Sequence, residues 1–232
     1  MSSKRPREEK PDWRLPLFFW RGCVRLADGA PSDGALAPER GGSLLCRWEG
    51  SWVSSTVEEG LPPDASFSAS PCTFSCAAEL PLPGSGAPLR LEALAGARFS
   101  FCSSSYFLDN GDGLQRFEDE QHRVAFEAAP PEPAGAEPLG ALLAGGQGTT
   151  EFGCFVSFGV VERAAGGALR FTLARRYLGG GDARLAWESA ADALQGCTAP
   201  VGRVLPRSEL LGAPWGALPW RVPRERKAKE KK

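Results

Sequence analysis

Between Phe152 and Leu178, apolar side chains recur at every second position on both sides of the run Ala164-Ala165-Gly166-Gly167. Such alternation sends successive side chains to opposite faces of a strand, so the segment is predicted to form an antiparallel hairpin. With a four-residue turn Arg163 faces Ala168, and one face collects the pairs Glu162 with Leu169, Val160 with Phe171, Phe158 with Leu173, Val156 with Arg175 and Cys154 with Tyr177. A slip of one residue would carry one strand's whole set to the other face.

A second hairpin is predicted from Ser100–Asp109 and Leu114–Glu127 around Asn110-Gly111, a dipeptide that tolerates positive φ. Further strands are expected at Gly22–Ala27, Ser43–Thr56, Ser66–Leu80 and Leu89–Leu94, each bounded by Pro or Gly. The Pro- and Gly-rich stretches Asp28–Gly42 and Ala128–Gly148 read as long loops. Asp182 is a candidate helix cap for Ala183–Gln195, with Gly196 as the stop, and the proline-punctuated segment Thr198–Arg221 reads as extended chain docking Trp215 and Trp220. The fold class is therefore all-β: an antiparallel barrel or sandwich of roughly eight strands with one short C-terminal helix. Residues 1–11 and 222–232 are expected to be disordered charged ends flanking a single β domain at 12–221, because they lack apolar side chains to offset the entropy of ordering.

Composition narrows the function classes. The greasiest run, Leu15–Trp20, is broken by Pro16 and followed by Arg21, far short of the ~20 residues of a spanning helix. Met1–Lys10 lacks the apolar segment of a secretory signal. Seven cysteines without framework spacing read as free thiols, and together these features predict an intracellular protein, cytoplasmic or nuclear. Net charge is −1, but the last twelve residues carry +5 and the first fourteen +2, leaving 15 basic and 23 acidic residues between them. Such an acidic body repels nucleic acid, so any acidic macromolecular partner would be met by Arg224, Arg226, Lys227, Lys229, Lys231 and Lys232. Lys4-Arg5-Pro6-Arg7 also has the look of a short nuclear address.

Chemistry-bearing residues are sparse. The single histidine, His122, shares the phase of Val124 and Phe126 and reads as an inward structural residue rather than a general base. No G-x-S-x-G elbow accompanies Ser103, Ser104 or Ser105, and Cys72-x3-Cys76 has no second pair to complete a zinc site. Asp109-Asn110-Gly111-Asp112-Gly113 departs from a calcium loop and, with Glu118-Asp119-Glu120, reads as a turn followed by a solvated acidic rim. Gly179–Gly181 with Asp182 is a poor phosphate cradle, since the aspartate sits where the anion would. No metal or cofactor is expected. Arg175 stands out, in phase with Phe171 and Leu173. A guanidinium on an apolar face needs a partner, either a carboxylate such as Glu162 or Glu188 or an anionic group of a ligand, and nearby Tyr177 lets it reach water at a strand end.

Gly50-Ser51-Trp52 at an early strand, the antiparallel series and the late helix resemble a calycin, the lipocalin and fatty-acid-binding type of β-barrel. The resemblance covers about residues 43–196 and implies structural roles for Gly50 and Trp52 at one barrel end, while the downstream lipocalin motifs are missing. The leading expectation is a non-enzymatic binding protein that holds a small amphipathic or hydrophobic ligand, with Arg175, Tyr177 and His122 as candidate contacts. The alternatives are an interaction module acting through its basic tail and acidic rim, and a carboxylate-based barrel enzyme.

Overall fold

The computed structural model describes residues 16–26, 43–55, 61–81, 91–109, 111–128, 141–164 and 168–193. Among the described residues nine antiparallel strands run in chain order: β1 (Leu17–Leu26), β2 (Ser43–Ser55), β3 (Thr73–Pro81), β4 (Arg98–Ser100), β5 (Ser103–Asp109), β6 (Leu114–Ala128), β7 (Ala141–Thr150), β8 (Gly153–Arg163) and β9 (Leu169–Tyr177). Pairing of β6 with β7 and of β1 with β9 closes the sheet into a barrel. β4 and β5 share one barrel position, since both pair with β6, at Arg123–Ala125 and Leu114–Glu118 respectively. The barrel thus has eight positions among the described residues. Closure removes the unpaired backbone that an open sheet would leave exposed.

Side chains alternate between two apolar layers. Inside lie Trp20, Trp48, Phe74, Phe126, Phe171 and Leu173, among others. Outside, β1, β7, β8 and β9 present a second cluster that includes Leu17, Phe19, Leu143, Val156, Phe158 and Ala174, covered by Phe67, Leu178, Ala190 and Ala191. Phe67 belongs to α1 (Asp64–Ala69), which Arg21 ties down through Asp64 and through its guanidinium over the Phe67 ring. A short helix α2 (Leu91–Leu94) buries Leu91 and Leu94 in the inner cluster and plugs the end where β8 turns into β9, held there by Glu92 to Arg163 at 2.6 Å. The other end, ringed by the start of β1, the β5–β6 hairpin and the β7–β8 turn, is left open.

Several expectations change. The β8–β9 hairpin exists one residue out of the predicted register, with Arg163 opposite Leu169, Gly159 opposite Leu173 and Ser157 opposite Arg175. Phe158, Val156 and Val160 therefore face outward while Phe171 and Leu173 face inward. Both faces of β8 are covered, with the larger apolar side chains Val156, Phe158 and Val160 on the outer one, so alternation did not tell the inner face from the outer. Ala128–Gly148 is not a loop throughout: β6 reaches Ala128 and β7 begins at Ala141. Its glycines serve close approach, since a Cβ on Gly148 would lie 2.0 Å from the Gln121 carbonyl oxygen and 2.4 Å from the Phe155 ring. The strand expected from Ser66 starts only at Thr73, after α1, and Leu89–Leu94 contributes α2 instead, because the Leu91–Leu94 spacing of three suits a helical turn. β1 begins at Leu17, five residues before the expected Gly22.

Asp182 does cap, accepting from the Arg184 amide at 2.9 Å, but the element is a four-residue 3-10 turn, Ala183–Ala186. The chain breaks at Trp187 and is helical again at 190–193, where Ser189 and Asp192 bond reciprocally to each other's backbone amides. No helix among the described residues is long and apolar enough to cross a membrane. The charged ends with Arg224 to Lys232, the segment Thr198–Arg221, the Gly196 stop and all of Asp28–Gly42 lie outside the described residues.

Candidate functional site

The barrel interior changes character at the level of Arg175. β9 carries Phe171, Leu173, Arg175 and Tyr177 inward as alternate residues, so the guanidinium follows two buried apolar side chains toward the open end. It is 0% exposed, lying between the rings of Trp20 and Phe155 with its central carbon 4.1 and 3.8 Å from their centroids. Flat aromatic faces on both sides favour a cation electrostatically, but burial at this depth still requires a counter-ion.

The counter-ion is Asp119 on β6, not Glu162 or Glu188. Arg175 Nη1 and Nη2 donate to its two carboxylate oxygens at 2.8 and 2.7 Å, a bidentate pair whose side chains are both fully buried. Ser104 donates to the same carboxylate at 2.7 Å, and His122 Nδ1 lies 3.2 Å from it. Behind Ser104, Cys76 completes the chain at 3.2 Å; with the serine proton spent on Asp119, the thiol is the donor. Burial pushes that thiol up to about 12, which keeps its hydrogen. Burial alone would raise the Asp119 carboxyl as well, but the Arg175 charge and the hydrogen bond from His122 outweigh it and hold the group well below the usual carboxylate range. His122 is pushed down by burial and is neutral, its ring set against Phe101 and Phe155 at 4.7 and 5.3 Å. Contact with the carboxylate assigns its proton to Nδ1.

A bulge makes this cluster possible. Pairing of β6 with β7 shifts between Asp119 and Gln121, so Glu120 is an extra residue that reverses the inward phase. Phe117 and Asp119 face inward before it, His122, Val124 and Phe126 after it. Opposite the bulge, β4 and β5 are interrupted at Phe101-Cys102, where the amides bond to His122 and Ala77 at 2.9 and 2.8 Å. Asp119 thus leaves the predicted acidic rim, while Glu118 and Glu120 remain exposed.

Above Arg175 the open end encloses a cavity of about 350 Å³. Its lining runs from the buried Trp20, Tyr106, Trp52, Arg175 and Tyr177 to the half-buried Phe18, Leu108 and Phe152. Trp52 stacks on Trp20 at 6.3 Å and donates from its indole nitrogen to the Phe107 carbonyl at 2.9 Å, which fixes its ring on the wall. Gly50, two residues earlier, pairs with Gly22, and a Cβ on either would come 2.0 Å from a backbone oxygen of the partner strand. Tyr106 lies against Trp20 at 5.2 Å; burial, then the neighbouring Tyr177, holds its hydroxyl above its ordinary range and therefore protonated.

Of the residues singled out in the sequence, Arg175, Tyr177 and Trp52 come together on this cavity, and His122 sits beneath it as Arg175's neighbour at 3.4 Å, off the cavity wall. Sequence reasoning gave Trp20 and Phe155 no site role, weighed Ser104 only as a nucleophile, and placed Asp119 on the solvated rim. For Ser104 the signal was present, since it alternates with Tyr106 on β5; for Asp119 the bulge hid it. Asp119 receives both the serine and the histidine, so the cluster has no serine-to-histidine relay, and a carboxylate this far below its usual range is a weak base. Cys72 lies just before β3, apart from the Cys76 chain, and no cluster of three or more potential metal ligands occurs among the described residues. No protein-family model, curated protein or solved structure matches this chain.

Proposed function

We propose that this chain is a non-enzymatic binding protein of calycin-like type that holds a small hydrophobic or amphipathic ligand in the open end of its barrel. The observation that carries the reading is a half-open, aromatic-walled cavity of about 350 Å³ above a polar cluster whose ion pair is already satisfied internally. Its volume lies in the range of small-molecule sites, and an apolar hollow of this size gains free energy by exchanging water for apolar surface. Arg175 and Tyr177 contribute polar side chains to the lining, and His122 steadies the pair from below through its Nδ1–H contact with Asp119. Leu108, half-buried at the mouth, offers the clean test: Leu108→Trp fills the cavity from the solvent side without touching the ion pair. Native mass spectrometry and fluorescent-probe titration of the purified protein are expected to show an apolar small molecule bound by the parent chain and at least about tenfold weaker binding by the variant. Equal binding by both, or none by either, would overturn the reading.

A further inference from the structure

We infer that the ligand is a single-tailed amphiphile with a protonated amine head, its tail held in the barrel cavity and its head laid in an outer groove against Asp109; the inference rests on the ligand-holding reading above. The groove, about 470 Å³ in volume, lies between the end of β2, α1 with the residues that follow it, and the end of β5. It shares Phe18, Trp52 and Leu108 with the cavity, so the two hollows meet at these three side chains. Their linings differ in character. In the cavity Arg175 spends Nη1 and Nη2 on Asp119, and Trp52 spends its indole N–H on the Phe107 carbonyl. Arg175 Nε, Trp20 Nε1 and the Tyr106 hydroxyl are closed off by surrounding side chains. A charged head carried inside would give up its hydration with little in exchange, so the tail enters and the head stays out. The groove offers Ser54, Ser66 and Ser70 together with Asp109, the one charged side chain among the described residues that line it. Asp109 is exposed, and its Oδ1 accepts from the Gly111 amide at 2.9 Å, which holds the carboxylate in place at the turn. Its charge attracts an ammonium and repels a carboxylate, and serine hydroxyls can accept from the ammonium hydrogens.

Displacement of the neutral apolar fluorophore N-phenyl-1-naphthylamine from the full chain by decylamine, decanol and decanoate, each below its micelle-forming concentration at pH 7.5 and low salt, tests the assignment. Decylamine is expected to bind about three- to tenfold more tightly than decanoate, with decanol between them, as suits contact with one exposed carboxylate. The gap should narrow to under about twofold in about 0.5 M sodium chloride, because the contact is open to screening. In Asp109→Asn, whose side-chain oxygen can still accept from the Gly111 amide, the preference for the amine over the acid should vanish while decanol binding stays within about twofold of the parent's. If circular dichroism shows that variant to be unfolded, the salt series on the parent chain decides. Decanoate matching decylamine at low salt, or Asp109→Asn keeping the parent's preference, would overturn the inference while leaving the binding-protein reading intact. Failure of the fluorophore and of all three amphiphiles to bind would remove both.

Discussion

Arg175 on β9 and Asp119 on β6, with β8 and β7 between their strands, are each other's counter-ion in a fully buried pair. Removing one partner leaves the other unpaired in the interior, which typically destabilises by about 3–5 kcal/mol. Arg175→Met is therefore expected to lower the unfolding free energy at pH 7 by about that amount, measured by urea titration. The pH dependence should also change sign. In the parent protein Asp119 is held below its ordinary value, so the stability it confers is present above the unfolded pKa of about 3.9 and is lost on acidification below it. His122, also pushed down, adds a loss that begins as pH falls below about 6.5, since the unfolded chain takes up that proton first. In Arg175→Met the buried carboxyl prefers its neutral form, so the variant should become more stable as pH falls from 7 toward 4. Parallel pH profiles for the two proteins would show that the pair does not govern Asp119.

β1 and β2 approach most closely where Gly22 faces Gly50, and backbone rather than a flexible side chain occupies the place of each missing Cβ. Gly50→Ala should therefore destabilise the barrel by about 2–4 kcal/mol, and a loss under about 0.5 kcal/mol by thermal or urea unfolding would contradict this close contact. The G-x-W triplet was visible in the sequence, but its glycine acts through strand spacing that no single strand reveals. Within β9 the phase of Phe171, Leu173, Arg175 and Tyr177 was legible, since each is an alternate residue on a regular strand. Register against β8 was not, because an apolar outer layer erased the usual contrast between core and solvent faces. The hairpin of β5 and β6 was legible from Asn110-Gly111, yet the Glu120 bulge placed Asp119 and His122 on the same side, against strict alternation. β7 was hidden for a related reason: its glycines make room for neighbours' side chains, and such a strand reads as a loop.

Taken whole, the barrel is plugged at one end by α2, sealed midway by a neutralised ionic layer under Trp20 and Phe155, and hollow at the other end. Every functional reading above depends on that last feature, an unfilled apolar space on the solvent side of Arg175. A crystal structure under xenon pressure examines it without assuming any ligand, because dry apolar cavities take up the gas. The expected result is a xenon site bounded by Trp20, Trp52, Tyr106 and Tyr177 with the Arg175–Asp119 pair intact beneath it. Side chains of Phe18 or Trp52 folded inward to fill the space, with no xenon bound there, would contradict it.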